Sequence, residues 1–130
     1  MAIVQYYISE VPFRLPGAIT VADNKWKREM QFRGEILGYR GFIKTLGTGG
    51  GTSTDIQLRN QTTTPDKDYF STKPTFEVDS ASNLLEGGEL IASPTFQAGD
   101  VLVLDVDAIS TGPADAEVTL LCGFFREIVP

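Results

Sequence analysis

The sequence predicts an all-β fold: an antiparallel β-sandwich or jelly roll of about eight strands with an extended N-terminal arm. Three observations predict it. Helical periodicity is almost missing along the chain's 130 residues, whereas period-two alternation of apolar and polar residues recurs throughout. The connections LPGA, GTGGGT, NQTTTPDKD, EGGE, QAGD and STGPAD are rich in Gly and Pro, each a turn with a backbone reason. No segment offers a crossover helix, so neighbouring strands must run antiparallel.

Taken in order, residues 1–16 read as an N-terminal arm or edge strand. The segment is apolar, and Pro12 and Pro16 forbid a long helix and suit an edge. An extended apolar arm is also a device for gripping a neighbour by strand addition. Residues 17–130 read as a single jelly-roll domain. KREMQF, TFEVD and ELIAS are weak strands. In EILGYRGFIKTL neither parity is purely apolar, which predicts a change of environment or a bulge near Gly38 or Gly41. STDIQLRN sets Ile56 and Leu58 against Asp55, Gln57 and Arg59. In FQAGDVLVLDVDAI, Leu102, Leu104 and Val106 oppose Val101, Val103, Asp105 and Asp107. AEVTLLCGFFREIV places Val118, Leu120, Cys122 and Phe124 on one side. A single helical turn is expected around Ser80–Glu86, capped by Asp79 or Ser80 and ended by Gly87.

Composition removes several chemistries. The chain has no histidine, so the commonest general base and transition-metal ligand are missing and Ser–His or Cys–His nucleophiles are excluded. Its one cysteine, Cys122, lies in an apolar alternation and reads as a small core residue in a protein made in a reducing cytoplasm. An apolar content of 42% is too high for a disordered chain, and no apolar run is long enough for a membrane helix. The N-terminus lacks a basic region before Arg14 and reads as mature sequence. Net charge is −6, unevenly spread. Residues 1–75 hold ten Lys/Arg and seven Asp/Glu, against one and ten in residues 76–130. Neither nucleic acid nor a membrane is an expected partner.

The loop GTGGGT fails as a phosphate cradle. No lysine follows the glycines, Thr52 stands where a dinucleotide fingerprint needs Gly, and a strand pattern follows instead of a helix. Asp105 and Asp107 share a strand face and could offer oxygen to calcium, but no D-x-D-x-D-G loop frames them. They read as exposed carboxylates on a sandwich face, and Asp100 as a turn residue. Trp26, Tyr6, Tyr7, Tyr39 and Tyr69 are candidates for a carbohydrate platform, an interface hot spot or core packing. Tyr6 and Tyr7 are adjacent, so in a strand they face opposite ways and one of them should meet another element or chain.

GFIKTLGTGGGTSTDIQLRN and FQAGDVLVLDVDAISTGPADAEVTLLCGFF together resemble the small jelly-roll domains of tailed-phage virion proteins. The shared pieces are a G-T-rich turn leading into T-x-D-[IV]-x-L-R, an x-x-G-D-x-L-x-x-D-V strand and a final T-x-x-L strand, over roughly residues 33–129. The resemblance is strongest to capsid decoration (cement) proteins. It implies a structural virion protein on the capsid exterior, a homotrimer bound to the major capsid protein, with no catalytic residues and no cofactor. The alternative is a receptor- or glycan-binding domain of a head fibre or tail protein; an enzyme on a β-sandwich is a third. On the first reading, the candidates for contact with shell or subunit are Tyr6, Tyr7, Phe13 and Trp26 with the basic set Lys25, Lys27, Arg28 and Arg33.

Overall fold

Period-two apolar segments separated by Gly and Pro turns fold into antiparallel strands packed as two layers. The computed structural model describes residues 3–49, 53–78 and 82–128. Its strands in chain order are β1 (Ile3–Ala18), β2 (Ala22–Glu29), β3 (Arg33–Thr45), β4 (Ser53–Asn60), β5 (Lys67–Asp68), β6 (Phe70–Thr72), β7 (Thr75–Glu77), β8 (Glu89–Leu90), β9 (Thr95–Phe96), β10 (Val101–Ala108) and β11 (Ala114–Ile128). That is eleven among the described residues where about eight were expected, because the turn-rich stretch from 67 to 96 breaks into two- and three-residue pieces. One sheet has the order β1-β11-β3-β9; the other has β2-β10-β4-β5, with β7 also pairing with β4. A small β6-β8 ribbon lies beside them.

The β-sandwich class is as the alternation predicts. The inner faces meet in one core: Val11, Phe13 and Leu15 of β1 and Val118, Leu120 and Cys122 of β11 join Ile56 and Leu58 of β4 and Leu102, Leu104 and Val106 of β10. Tyr69, Phe76 and Phe96 belong to the same core and are almost wholly buried. Cys122 lies in the core as a free thiol, which its apolar setting pushes up to about 12.

The N-terminal segment is an edge strand of its own sheet. β1 pairs with β11 from Ile3↔Ile128 to Leu15↔Ala116, and its prolines tolerate the free edge. Pro12 has no N–H to offer, and its carbonyl accepts a hydrogen bond from Arg28 Nη1 at 3.2 Å.

β3 holds the expected bulge. Its register to β11 jumps from Gly38↔Leu121 to Ile36↔Cys122, so Leu37 is the extra residue. Before it, Ile36 points inward; after it, Gly41 and Ile43 do. The mixed parity of EILGYRGFIKTL is this change of phase.

Three expectations need correction. No helical turn forms over the described residues 82–87: Leu84 bridges Phe42, and Glu86 exchanges backbone hydrogen bonds with Thr75. The expected caps Asp79 and Ser80 lie outside the described residues, as do Gly50, Gly51 and Thr52 of the glycine loop. Gln57 is buried instead of exposed, because the chain near Phe70 crosses the outer side of β4. Its Oε1 accepts from Phe70 N–H at 3.0 Å and its Nε2 donates to Phe70 O at 3.1 Å, so the side-chain amide pairs as a backbone would. Asp105, expected to be exposed, is 5% exposed. Arg59 covers it, as described below.

The polar groups inside are matched. Asn60 Nδ2 donates to Asp100 Oδ2 at 2.8 Å and to Tyr69 Oη at 3.2 Å, and Tyr69 Oη donates to Thr95 O at 2.8 Å. Asp100 Oδ2 also accepts from Gln97 N–H at 2.8 Å, which holds the turn into β10 as its turn role predicts. No buried side-chain nitrogen or oxygen among the described residues lacks a partner.

Candidate interaction surfaces

The outer face of the β1-β11-β3 sheet follows from the register. Val11↔Leu120 and Phe13↔Val118 point inward, so the alternate pairs point out: Tyr6↔Phe125, Ile8↔Gly123 and Glu10↔Leu121, with Gly38 and Arg33 continuing across β3. Among its charges this face leaves several large apolar side chains exposed to solvent. Ile8 is 58% exposed, Leu121 40% and Leu37 42%, with Val4 and Tyr6 toward one end and Phe42 and Leu84 toward the other. Gly38 has open space where a side chain would stand, and the Tyr6 ring lies over Gly123, so the centre is flat. Two ion pairs lie on the face, Arg40 Nη2 with Glu10 Oε1 at 2.7 Å and Arg14 Nε with Glu117 Oε2 at 3.6 Å, and Glu35 accepts from Tyr6 Oη at 3.4 Å. Large apolar side chains left exposed together on one sheet face are the usual mark of a contact surface.

A second surface lies where the free edges of β1 and β2 come together. It is an open groove of about 510 Å³ lined by Pro12, Arg14, Lys25, Trp26, Lys27 and Arg28, with Phe13 as its floor. Trp26 is half-buried against the core, and Lys25 Nζ lies 5.0 Å from the centre of its ring.

The predicted contact residues therefore divide between places. Tyr6 and Arg33 share the outer face around Phe125: the Tyr6 ring is 4.9 Å from it, and the Arg33 guanidinium is 4.6 Å above it. Lys25, Trp26, Lys27 and Arg28 gather in the groove. Tyr7 faces inward, half-buried, stacked on Phe124 at 5.4 Å and edge-on to Phe32. Phe13 is a correction: at 2% exposure it is core, because it shares the inward parity of Val11 and Leu15. Sequence reasoning missed Ile8, Leu37, Phe42, Leu84 and Leu121. The available signal was the apolar doublets Leu120-Leu121 and Phe124-Phe125, which on a strand must place one member on each face, as Tyr6-Tyr7 does.

The acids of β10 are tied to cations. Arg59 holds Asp105 and Asp66, and its guanidinium is pushed further toward the charged form by those hydrogen bonds. Lys73 Nζ lies 2.8 Å from Asp107 Oδ2, which raises the lysine pKa. Among the described residues no group of three or more His, Cys, Asp or Glu could hold a metal ion. Two of the candidate carbohydrate-platform rings are committed: Tyr69 is fully buried, and Tyr39 Oη donates to Gly87 O at 3.0 Å while its ring packs edge-on against Phe70. Comparison of the chain with family models and with curated proteins finds no match.

Proposed function

We propose that the chain is a non-enzymatic structural protein of a virion, a capsid decoration protein that associates as a homotrimer and mounts on the outer surface of a shell of major capsid protein. The observation that carries the reading is the apolar outer face of the β1-β11-β3 sheet, with Ile8, Leu37 and Leu121 at its centre. Such a stripe is stabilised by burial against another protein and gains nothing from water. On this reading it packs copy against copy. Three copies joined in this way attach to a shell at several points, and the later attachments are intramolecular, so weak contacts add up to firm retention.

Other features support the same reading. The alternation of β1, β2, β3 and β4 between the two sheets, and of β10 and β11, suits the double wrap of a jelly roll. The acids that a hydrolytic mechanism would need, Asp105 and Asp107, sit in ion pairs with Arg59 and Lys73. The test is co-sedimentation of the chain with shells of the major capsid protein. Wild type is expected in the shell fraction and Ile8→Glu/Leu121→Glu in the supernatant. Wild type remaining in the supernatant would overturn the assignment.

A further inference from the structure

We propose that the groove between the free edges of β1 and β2 binds a short, extended, acidic peptide segment of a partner protein. The site adjoins the apolar face at Pro12 and Arg14 but is centred on β2, and it does not depend on the trimer. Its lining brings four cations together, Arg14 from one sheet and Lys25, Lys27 and Arg28 from the other, and contains no carboxylate. Among the described residues the one ion pair that any of them makes is Arg14 Nε with Glu117 Oε2 at 3.6 Å, and the Arg14 side chain is 80% exposed. Concentrating positive charge in this way on a chain of net charge −6 opposes its overall field, so the groove selects a negative ligand locally.

Lysines on an edge strand also guard against sheet-to-sheet aggregation. That role needs no convergence from a second strand and no ring at the base. Here Arg28 reaches across to Pro12 O, Arg14 faces from β1, and Trp26 stands half-exposed between Lys25 and Lys27. Residues 25–28 of β2 span about 10–13 Å, the length of three or four extended residues. The fitting ligand alternates carboxylates, for the cations, with an apolar side chain for Trp26.

A peptide suits the groove better than a nucleic acid. Asp23 precedes Lys25 by two residues on the same strand, and Asp66, Asp68 and Asp107 lie with it on the neighbouring sheet face. A long polyanion leaving the groove would run into them; a short segment would not.

Trp26 is the chain's single tryptophan, so its fluorescence reports on the groove directly. The full chain is titrated with a capped decapeptide of alternating Glu and Leu, and separately with a ten-nucleotide oligo-dT strand. The expected result is a saturable emission change with the peptide, weakened at least tenfold between 50 and 300 mM NaCl. Lys25→Glu/Lys27→Glu should lose at least tenfold in affinity with an unchanged far-ultraviolet dichroism spectrum. Arg14→Gln, altering an exposed side chain on the other strand, should lose about threefold even if the double variant folds poorly. Lys44→Glu, an exposed cation elsewhere, should change binding less than twofold. An unchanged emission, affinity retained within twofold in both groove variants, or tighter binding of the oligonucleotide than of the peptide would each overturn the proposal.

Discussion

Arg59 grips Asp105 at two points, with Nε 2.9 Å from Oδ2 and Nη2 3.2 Å from Oδ1. The two residues sit on adjacent strands, β4 and β10, on the outer side of their sheet. The same guanidinium reaches Asp66 Oδ2 from Nη1 and Asn24 Oδ1 from Nη2, both at 2.7 Å. One side chain thus ties β2, β4, β10 and the connection before β5. It also explains why a carboxylate can be buried on this face. Removing the cation alone leaves Asp105 buried and uncompensated. Arg59→Met should cost roughly 3–5 kcal/mol in urea unfolding, and Arg59→Met/Asp105→Leu should recover much of it. A single-variant loss below about 1 kcal/mol would show that the clamp is a surface pair.

Two glycines of the β1-β11-β3 sheet should respond differently to alanine. A Cβ at Gly34 would fall on the carbonyl oxygen of Gly123 in the paired strand, and it would also stand 3.0 Å from Phe96 Cζ. Backbone cannot yield there, so Gly34→Ala should destabilise by about 3 kcal/mol or more. A Cβ at Gly123 would meet the Tyr6 ring, which is exposed and can swing away. Gly123→Ala should cost about 1 kcal/mol or less, and adding Tyr6→Ser should restore the wild-type midpoint. Chemical denaturation of the three variants checks the order.

Stability should fall in alkali from about pH 9 upward. Burial pushes the Cys122 thiol from 9.0 to about 12 and the Tyr69 hydroxyl from 10.0 to about 12. Across these intervals the unfolded chain gives up its protons while the folded chain keeps them, so the folded state is progressively disfavoured and the loss is complete near pH 12. Melting temperatures of wild type and Cys122→Ala between pH 8 and pH 11.5 test this. The variant should lose the early part of the decline, below pH 10. Identical slopes in the two proteins would refute the assignment to the thiol.

Phe13 and Ile8 lie on the same strand and on opposite faces. Phe13→Ala removes a core side chain and should cost about 3–5 kcal/mol. Ile8→Ala, on the exposed face, should change the stability of the single chain by no more than about 0.5 kcal/mol. Equal losses at the two positions would mean that the face parity of β1 is inverted.

The two layers were legible because burial on one face leaves a period-two trace, clear in Leu102, Leu104 and Val106 and in Val118, Leu120 and Cys122. The bulge was legible too, since the apolar parity changes inside EILGYRGFIKTL. Gln57 and Asp105 were not. Their burial depends on chain that crosses from far away in sequence, the Phe70 segment and the Arg59 side chain, and alternation carries no information about what lies over a face. Phe13 was misplaced because an apolar edge strand and a free arm look alike until the partner strand is known. The apolar outer face was half legible. Its doublets stood in the sequence, but Leu37, Phe42 and Leu84 join it only through the bulge and a bridge between distant segments.

The molar mass of the wild-type chain in solution, set beside that of Ile8→Glu/Leu121→Glu, tests the central claim most directly. If the outer face of the β1-β11-β3 sheet joins copies, wild type at tens of micromolar should weigh three times the single chain. The double variant should then weigh one, with an unchanged dichroism spectrum. A wild-type chain that stays monomeric, or a variant that remains trimeric, would contradict it.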